Sequence, residues 1–144
     1  MDPMDDNAIN NLKDALKFSP NNIPLKQHLA EILLKANQLD EAEVEYSELL
    51  KLSPNNKFKI GLAKTFFLKG ENSKCNVILE AVIGNGDKDF DTLILYARAL
   101  LRERAIPKAI AIYSEALAIN PLFVDEELDS RLRVAREIEV PEED

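Results

Sequence analysis

The chain has 144 residues, 46% of them hydrophobic, which is room for one compact domain or a short solenoid with a continuous core. Its 18 basic and 26 acidic side chains leave a net charge of -8, so the protein's own field repels phosphate backbones and anionic lipid surfaces. Nucleic acid and membrane are therefore excluded as first partners, and the single cysteine, Cys75, excludes an internal disulfide framework and points to a reducing compartment.

The acidity is local: residues 124–144 hold nine acidic and three basic side chains, net -6, which leaves -2 for the first 123. At the other end, Met1-Asp2-Pro3-Met4-Asp5-Asp6 lacks the basic and apolar regions of a secretory signal. The longest apolar stretch, residues 93–101, already contains Arg98 and falls well short of the roughly 18 uncharged residues a spanning helix needs. A soluble, cytoplasmic, acidic protein is expected.

Apolar residues recur at three- and four-residue intervals nearly everywhere and only four glycines interrupt the chain, so the expected class is all-α. Residues 1–4 are expected to be disordered, followed by a helix from about Asp5 to Phe18. Breaks then fall at Ser19-Pro20-Asn21-Asn22, Ala36-Asn37, Ser53-Pro54-Asn55-Asn56, Lys69-Gly70, Gly84-Asn85-Gly86, the Arg104 to Pro107 region and Asn120-Pro121. Proline past a helix end cannot continue it and a neighbouring Asn or Asp caps the next, so each break reads as a turn between antiparallel helices. Beyond Pro121, Val124, Leu128, Leu132, Ala135 and Ile138 form one stripe and predict a capping helix over residues 122–139, then an acidic, disordered tail over 140–144.

The breaks repeat. Ser-Pro-Asn-Asn at Ser19 returns at Ser53 after 34 residues. Ahead of Pro20, Pro54 and Pro121 stand Ala8, Leu12 and Ala15, then Ala42, Tyr46 and Leu49, then Ala109, Tyr113 and Ala116, all with the same internal spacing. Cys75, Leu79 and Val82 make a middle copy, with Asp87 where proline would fall. The preceding helices repeat Leu29-Ala30 with Leu33, Leu62-Ala63 with Phe66, and Tyr96-Ala97 with Leu100.

This pattern resembles the tetratricopeptide repeat over roughly residues 8–121. It departs from the family in lacking tryptophan, in the missing third proline and in one 33-residue interval. The resemblance implies a right-handed superhelical solenoid of antiparallel helix pairs. Its parts would be a half repeat at 5–22 holding a second helix alone, full repeats at 23–55, 56–87 and 88–121, and the capping helix.

It also implies that the first helix of each unit lines a concave groove that receives a partner peptide or helix. Helical spacing puts Gln27, His28, Glu31 and Lys35, then Lys57, Ile60, Lys64 and Phe67, then Asp91, Ile94, Arg98 and Arg102 on that face. Five of the twelve are basic, a cationic strip suited to an acidic peptide, with Phe67 and Ile94 for apolar contact. The bland alternative has the same charges as solvated residues paired with Glu31 or Asp91. Family members that clamp the C-terminal carboxylate of heat-shock proteins need Lys, Asn and Arg where this chain has Gln27, Glu31, Gly61, Asp91 and Leu95, so no such clamp is expected.

Catalytic sets are missing from the sequence. His28 is the sole histidine, with no serine in its own or the adjacent turns, and with Glu31 it falls short of a zinc set. Cys75 occupies a small-residue helix position, which suits a buried thiol. Gly84-Asn85-Gly86-Asp87 lacks the Lys-Ser or Lys-Thr of a phosphate loop, and the paired carboxylates sit on solvent faces. The expectation is a protein-binding scaffold with no enzyme activity, cofactor or metal. A second reading is a regulatory or adaptor segment of a larger protein, since Asn120-Pro121-Leu122-Phe123 before an acidic helix looks like bacterial proteins whose repeats precede an AAA-type ATPase domain. Self-assembly into a homo-oligomer is a third.

Ala97 and Ala109 are small where helix axes must approach, so Ala97→Leu or Ala109→Leu should cost about 1 to 3 kcal/mol by overpacking. Thermal melts check this, and an unchanged melting temperature would refute the register.

Overall fold

The computed structural model describes residues 3–134, and among them eight helices and no strand. They are α1 (Pro3–Phe18), α2 (Ile23–Lys35), α3 (Leu39–Leu52), α4 (Asn56–Leu68), α5 (Asn72–Gly84), α6 (Phe90–Arg102), α7 (Ile106–Ile119) and α8 (Glu126–Leu132).

Short polar side chains decide where the even-numbered helices begin. Asn22 accepts the Leu25 N–H at 3.1 Å, Asn55 that of Phe58 at 3.0 Å, Asp89 that of Thr92 at 2.8 Å and Asp125 that of Leu128 at 2.9 Å. Each satisfies one of the backbone donors that a helix start leaves without a partner. Helices α3 and α7 have no side-chain cap, and the turns before them are shaped by the closure of the preceding helix. Gln38 N–H reaches back to Leu33 C=O and Asn37 N–H to Leu34 C=O; Glu71 with Gly70, and Ala105 with Arg104, repeat both bonds. This paired closure needs a left-handed residue between the helices, supplied by Asn37, Gly70 and Arg104 with φ of 61°, 81° and 60°.

Two sequence expectations change at the chain ends. Pro3 and Met4 are helical rather than disordered, because proline is tolerated in a first turn and Asp5 and Asp6 complement the helix dipole there. At the other end α8 covers Glu126–Leu132 and not 122–139, since Asp125 caps its start and Arg133, with φ of 50°, closes it. Val124 is thereby left exposed before the helix. Ala135, Ile138 and the 140–144 tail lie outside the described residues.

The chain divides into two compact units, Met1–Ile78 and Leu79–Asp144, with the boundary inside α5. In the first, α1 packs on α2, α2 on α3 and α3 on α4. Its core is built from Ile9, Leu29, Leu33, Tyr46, Leu49 and Phe58, with Ala30 and Ala42 fully buried among them. Gly61 belongs to the same contact: a methyl group there would overlap Cε1 and Cζ of the Tyr46 ring, which is itself buried. Lys26 stands three residues before Leu29, where the family pattern has tryptophan, and it is 8% exposed. Its ammonium bonds Glu45 at 2.9 Å and also Glu48. Burial alone would lower the Lys26 pKa, but the two carboxylates outweigh it and hold the group above its ordinary value.

In the second unit α6 packs on α7, and α8 rests against both. Helix α6 is apolar on most sides: eight of its residues, from Thr92 to Leu101, are buried. Phe123 in the α7–α8 connection sets its ring edge-on to Phe90, with centroids 4.9 Å apart.

Gly61→Ala should destabilise the protein by about 1 to 3 kcal/mol, because the buried Tyr46 ring would have to shift out of its packing to admit the methyl group. Gly84→Ala, which meets nothing within 4 Å, is the control and should leave the denaturation midpoint in place or raise it.

Candidate functional site

Eight of the twelve expected groove residues lie in the first unit and four in the second. In the first unit, Gln27 on α2 donates to Glu31 at 3.0 Å, while His28, Glu31 and Lys35 are exposed. On α4, Lys57 and Lys64 are exposed, and Ile60 and Phe67 are half-buried. Among the described residues no acid lies within ion-pair distance of Lys35, Lys57 or Lys64.

The placement of Lys57 runs against local preference. It sits in the first turn of α4, at the positive end of the helix dipole, and that turn contains no acidic residue. A cation there costs the helix about 0.3 to 1 kcal/mol, with no intramolecular partner among the described residues to offset it. Lys35, in the last turn of α2, is by contrast at the favoured end.

The second unit departs from the expected strip. Ile94 is buried, 5% exposed, because α6 is enclosed on nearly all faces, so it offers no apolar contact to a partner. Arg98 and Arg102 are paired, yet not with Glu31 or Asp91 as the alternative reading had it. Arg98 meets Asp125 at 2.5 Å and Arg102 meets Glu127 at 3.5 Å, both acids belonging to the α8 region. Asp91 is exposed in the first turn of α6. Burial pushes the Asp125 pKa up, but the Leu128 N–H and the Arg98 guanidinium outweigh that and hold the carboxyl below its ordinary value. Asp129 accepts from the Tyr113 hydroxyl at 2.5 Å and from the Asp125 N–H at 3.1 Å, so α8 begins inside a polar network. The acidic run 125–129 carried the signal for these pairings, had it been matched to the arginines as well as assigned to solvent.

Among the described residues no group of three His, Cys, Asp or Glu side chains is placed to hold a metal ion, and no helix is long and apolar enough to cross a membrane. Cys75 is fully buried, and burial pushes its thiol up to about 12. Such a thiol is a poor nucleophile at neutral pH.

The described helices define a class: tandem antiparallel helix pairs, the architecture of helical-repeat solenoids. Within it, the tetratricopeptide repeat family profile matches residues 6–65. Among solved structures the chain is similar to a crystal structure of MamA, at 20% identity and a TM-score of 0.75 over 81% of this chain and 69% of that one. It is equally similar to the MamA RS-1 ArsTM double mutant, at 19% identity and a TM-score of 0.75 over 81% and 66%. The likeness at this identity is one of fold, and the chain spans about two thirds of the MamA chains. No curated protein sequence matches it.

Two buried groups contribute to the response to alkali from its lower end. Burial, and secondarily the Glu31 charge, push Tyr46 up to about 12, and Cys75 stands at about 12. Both are held neutral in the folded chain but ionise near 10.0 and 9.0 when it unfolds. Their contribution to stability is intact below pH 9 and is lost as pH rises from 9 to 12. The melting temperature should fall through that window, and Cys75→Ala should flatten the part that begins at pH 9; a pH-independent melt would contradict the burial of both groups.

Proposed function

We propose that this chain is a protein-binding scaffold whose first unit receives an acidic peptide or helix along α2 and α4, through Lys35, Lys57 and Lys64 with His28 and Phe67 beside them. The observation that carries the reading is Lys57, a cation kept in the first turn of α4 against the helix dipole and without an internal partner among the described residues. A residue that opposes its own helix is accounted for by something the helix meets. The match of residues 6–65 to a repeat family and the paired-helix fold support the scaffold role. The reading places the protein in the cytoplasm and assigns it no catalytic step, its one thiol being buried and its one histidine standing on an open helix face.

Fluorescence anisotropy with a labelled acidic amphipathic peptide, compared with the same peptide bearing lysine at each acidic position, tests this. The acidic peptide should bind with an affinity that weakens as salt rises, and Lys35→Glu, Lys57→Glu, Lys64→Glu together should reduce binding at least about tenfold with the melting temperature little changed. Indifference to peptide charge, or equal affinity in the triple variant, would remove the assignment.

A further inference from the structure

Arg98 and Arg102, with the Tyr113 hydroxyl, form a polar margin on the α6–α7 face, and each holds a carboxylate from the α8 region. On the same short helix Leu128 and Leu132 are buried, 0% and 4% exposed. The occupant therefore presents Asp125, Leu128, Asp129 and Leu132 at i, i+3, i+4 and i+7, the spacing by which an amphipathic helix fills a groove, with Glu127 at i+2 paired to Arg102. It is a weak occupant in its own right. Helix α8 has seven residues, against the roughly 12 to 15 that an isolated helix needs in water, so its helical form depends on being docked. Both ion pairs are partly open to solvent, with side-chain exposures of 39% and 15% for Arg98 and Asp125 and 47% and 49% for Arg102 and Glu127. The connection ahead of it is fixed by Phe123 against Phe90, whereas Leu122 and Val124 on either side are exposed.

We propose that the α6–α7 face bearing Arg98, Arg102 and Tyr113 is a receptor for an acidic helical segment of a partner protein, and that α8 is its resident occupant, displaced when the partner binds. This rests on the reading of the chain as a scaffold for acidic partners and adds a second, gated site to the open one. A partner helix longer than α8 makes the same contacts without depending on docking for its fold, which gives it the advantage in exchange.

The test uses the full chain and a fluorescein-labelled peptide with the sequence of residues 120–134. Asp125→Lys with Glu127→Lys opposes like charges at the two arginines and releases α8 while leaving the receptor face untouched. This double variant should bind the peptide at least about tenfold more tightly than the unaltered chain, and a peptide carrying the same two lysines should not bind it. Adding Arg98→Glu and Arg102→Glu restores opposite charges in cis, so the quadruple variant should close and reject the original peptide. Equal affinity of the unaltered and double-variant chains, or full binding by the quadruple variant, would overturn the proposal. A double variant that dimerises in light scattering and excludes the peptide would put a second copy in the partner's place, and that too would overturn it as stated.

Hydrogen exchange on the milder Asp125→Asn, Glu127→Gln chain gives a second readout should the lysine variant not fold. Amides of α8 should lose protection while those of α6 keep theirs; joint loss would make α8 an inseparable part of the core and end the proposal. The outcome is separable from that of the lysine test on α2 and α4, because none of these substitutions lies in the first unit.

Discussion

Close approach of helix axes is the constraint from which the rest of the molecule follows. Ala30, Ala42, Ala63, Cys75, Ala97 and Ala109 all have no exposed surface, and each occupies the same place in its helix as the sequence moves forward by one period. A small residue there lets a neighbouring backbone come near, and the large residues a turn away, such as Leu33, Tyr46, Leu100 and Tyr113, fill the flanking space. Gly61 takes the same logic further, since it yields its whole side chain to the ring of Tyr46. With the backbones held this close, the intervening turns have no slack, which is why they repeat one hydrogen-bonding scheme with Asn37, Gly70 or Arg104 at the left-handed position.

Most of this was legible in the sequence because local chemistry and long-range packing point the same way. Ser-Pro-Asn-Asn marks both the end of one helix and the cap of the next, and the structure places caps at Asn22 and Asn55. Where the two levels part, sequence reasoning fails. The apolar stripe from Val124 to Ile138 fits one helix by period, but Asp125 prefers to cap, and a cap fixes the start two residues later than the stripe suggests. Ile94 satisfies an outward spacing, yet spacing carries no information about how many neighbours surround α6, and it is enclosed. The requirement for glycine at position 61 depends on where a tyrosine fifteen residues earlier points, which no local pattern records.

The charges divide in a way that composition conceals. Basic residues recur on the first helices at similar positions, but in the second unit Arg98 and Arg102 are answered by carboxylates of the chain itself, whereas in the first Lys35, Lys57 and Lys64 have no answering acid among the described residues. An exposed pair contributes little to stability, so this division matters less for folding than for what each face offers to another molecule.

Lys26 has a different consequence. Helix pairs built on a shared pattern are in principle exchangeable, and a chain of such pairs risks docking one helix beside the wrong relative. The equivalent places in the later pairs hold Lys59 and Leu93, and only Lys26 is buried with an ammonium that needs both Glu45 and Glu48. Seated against α5, where the corresponding places hold Ile78 and Ala81, it would carry an unanswered charge out of water, at a cost of several kcal/mol. The buried cation thus works as a key: it favours α3 over α5 as the helix that follows α2 in the packing as well as in the chain.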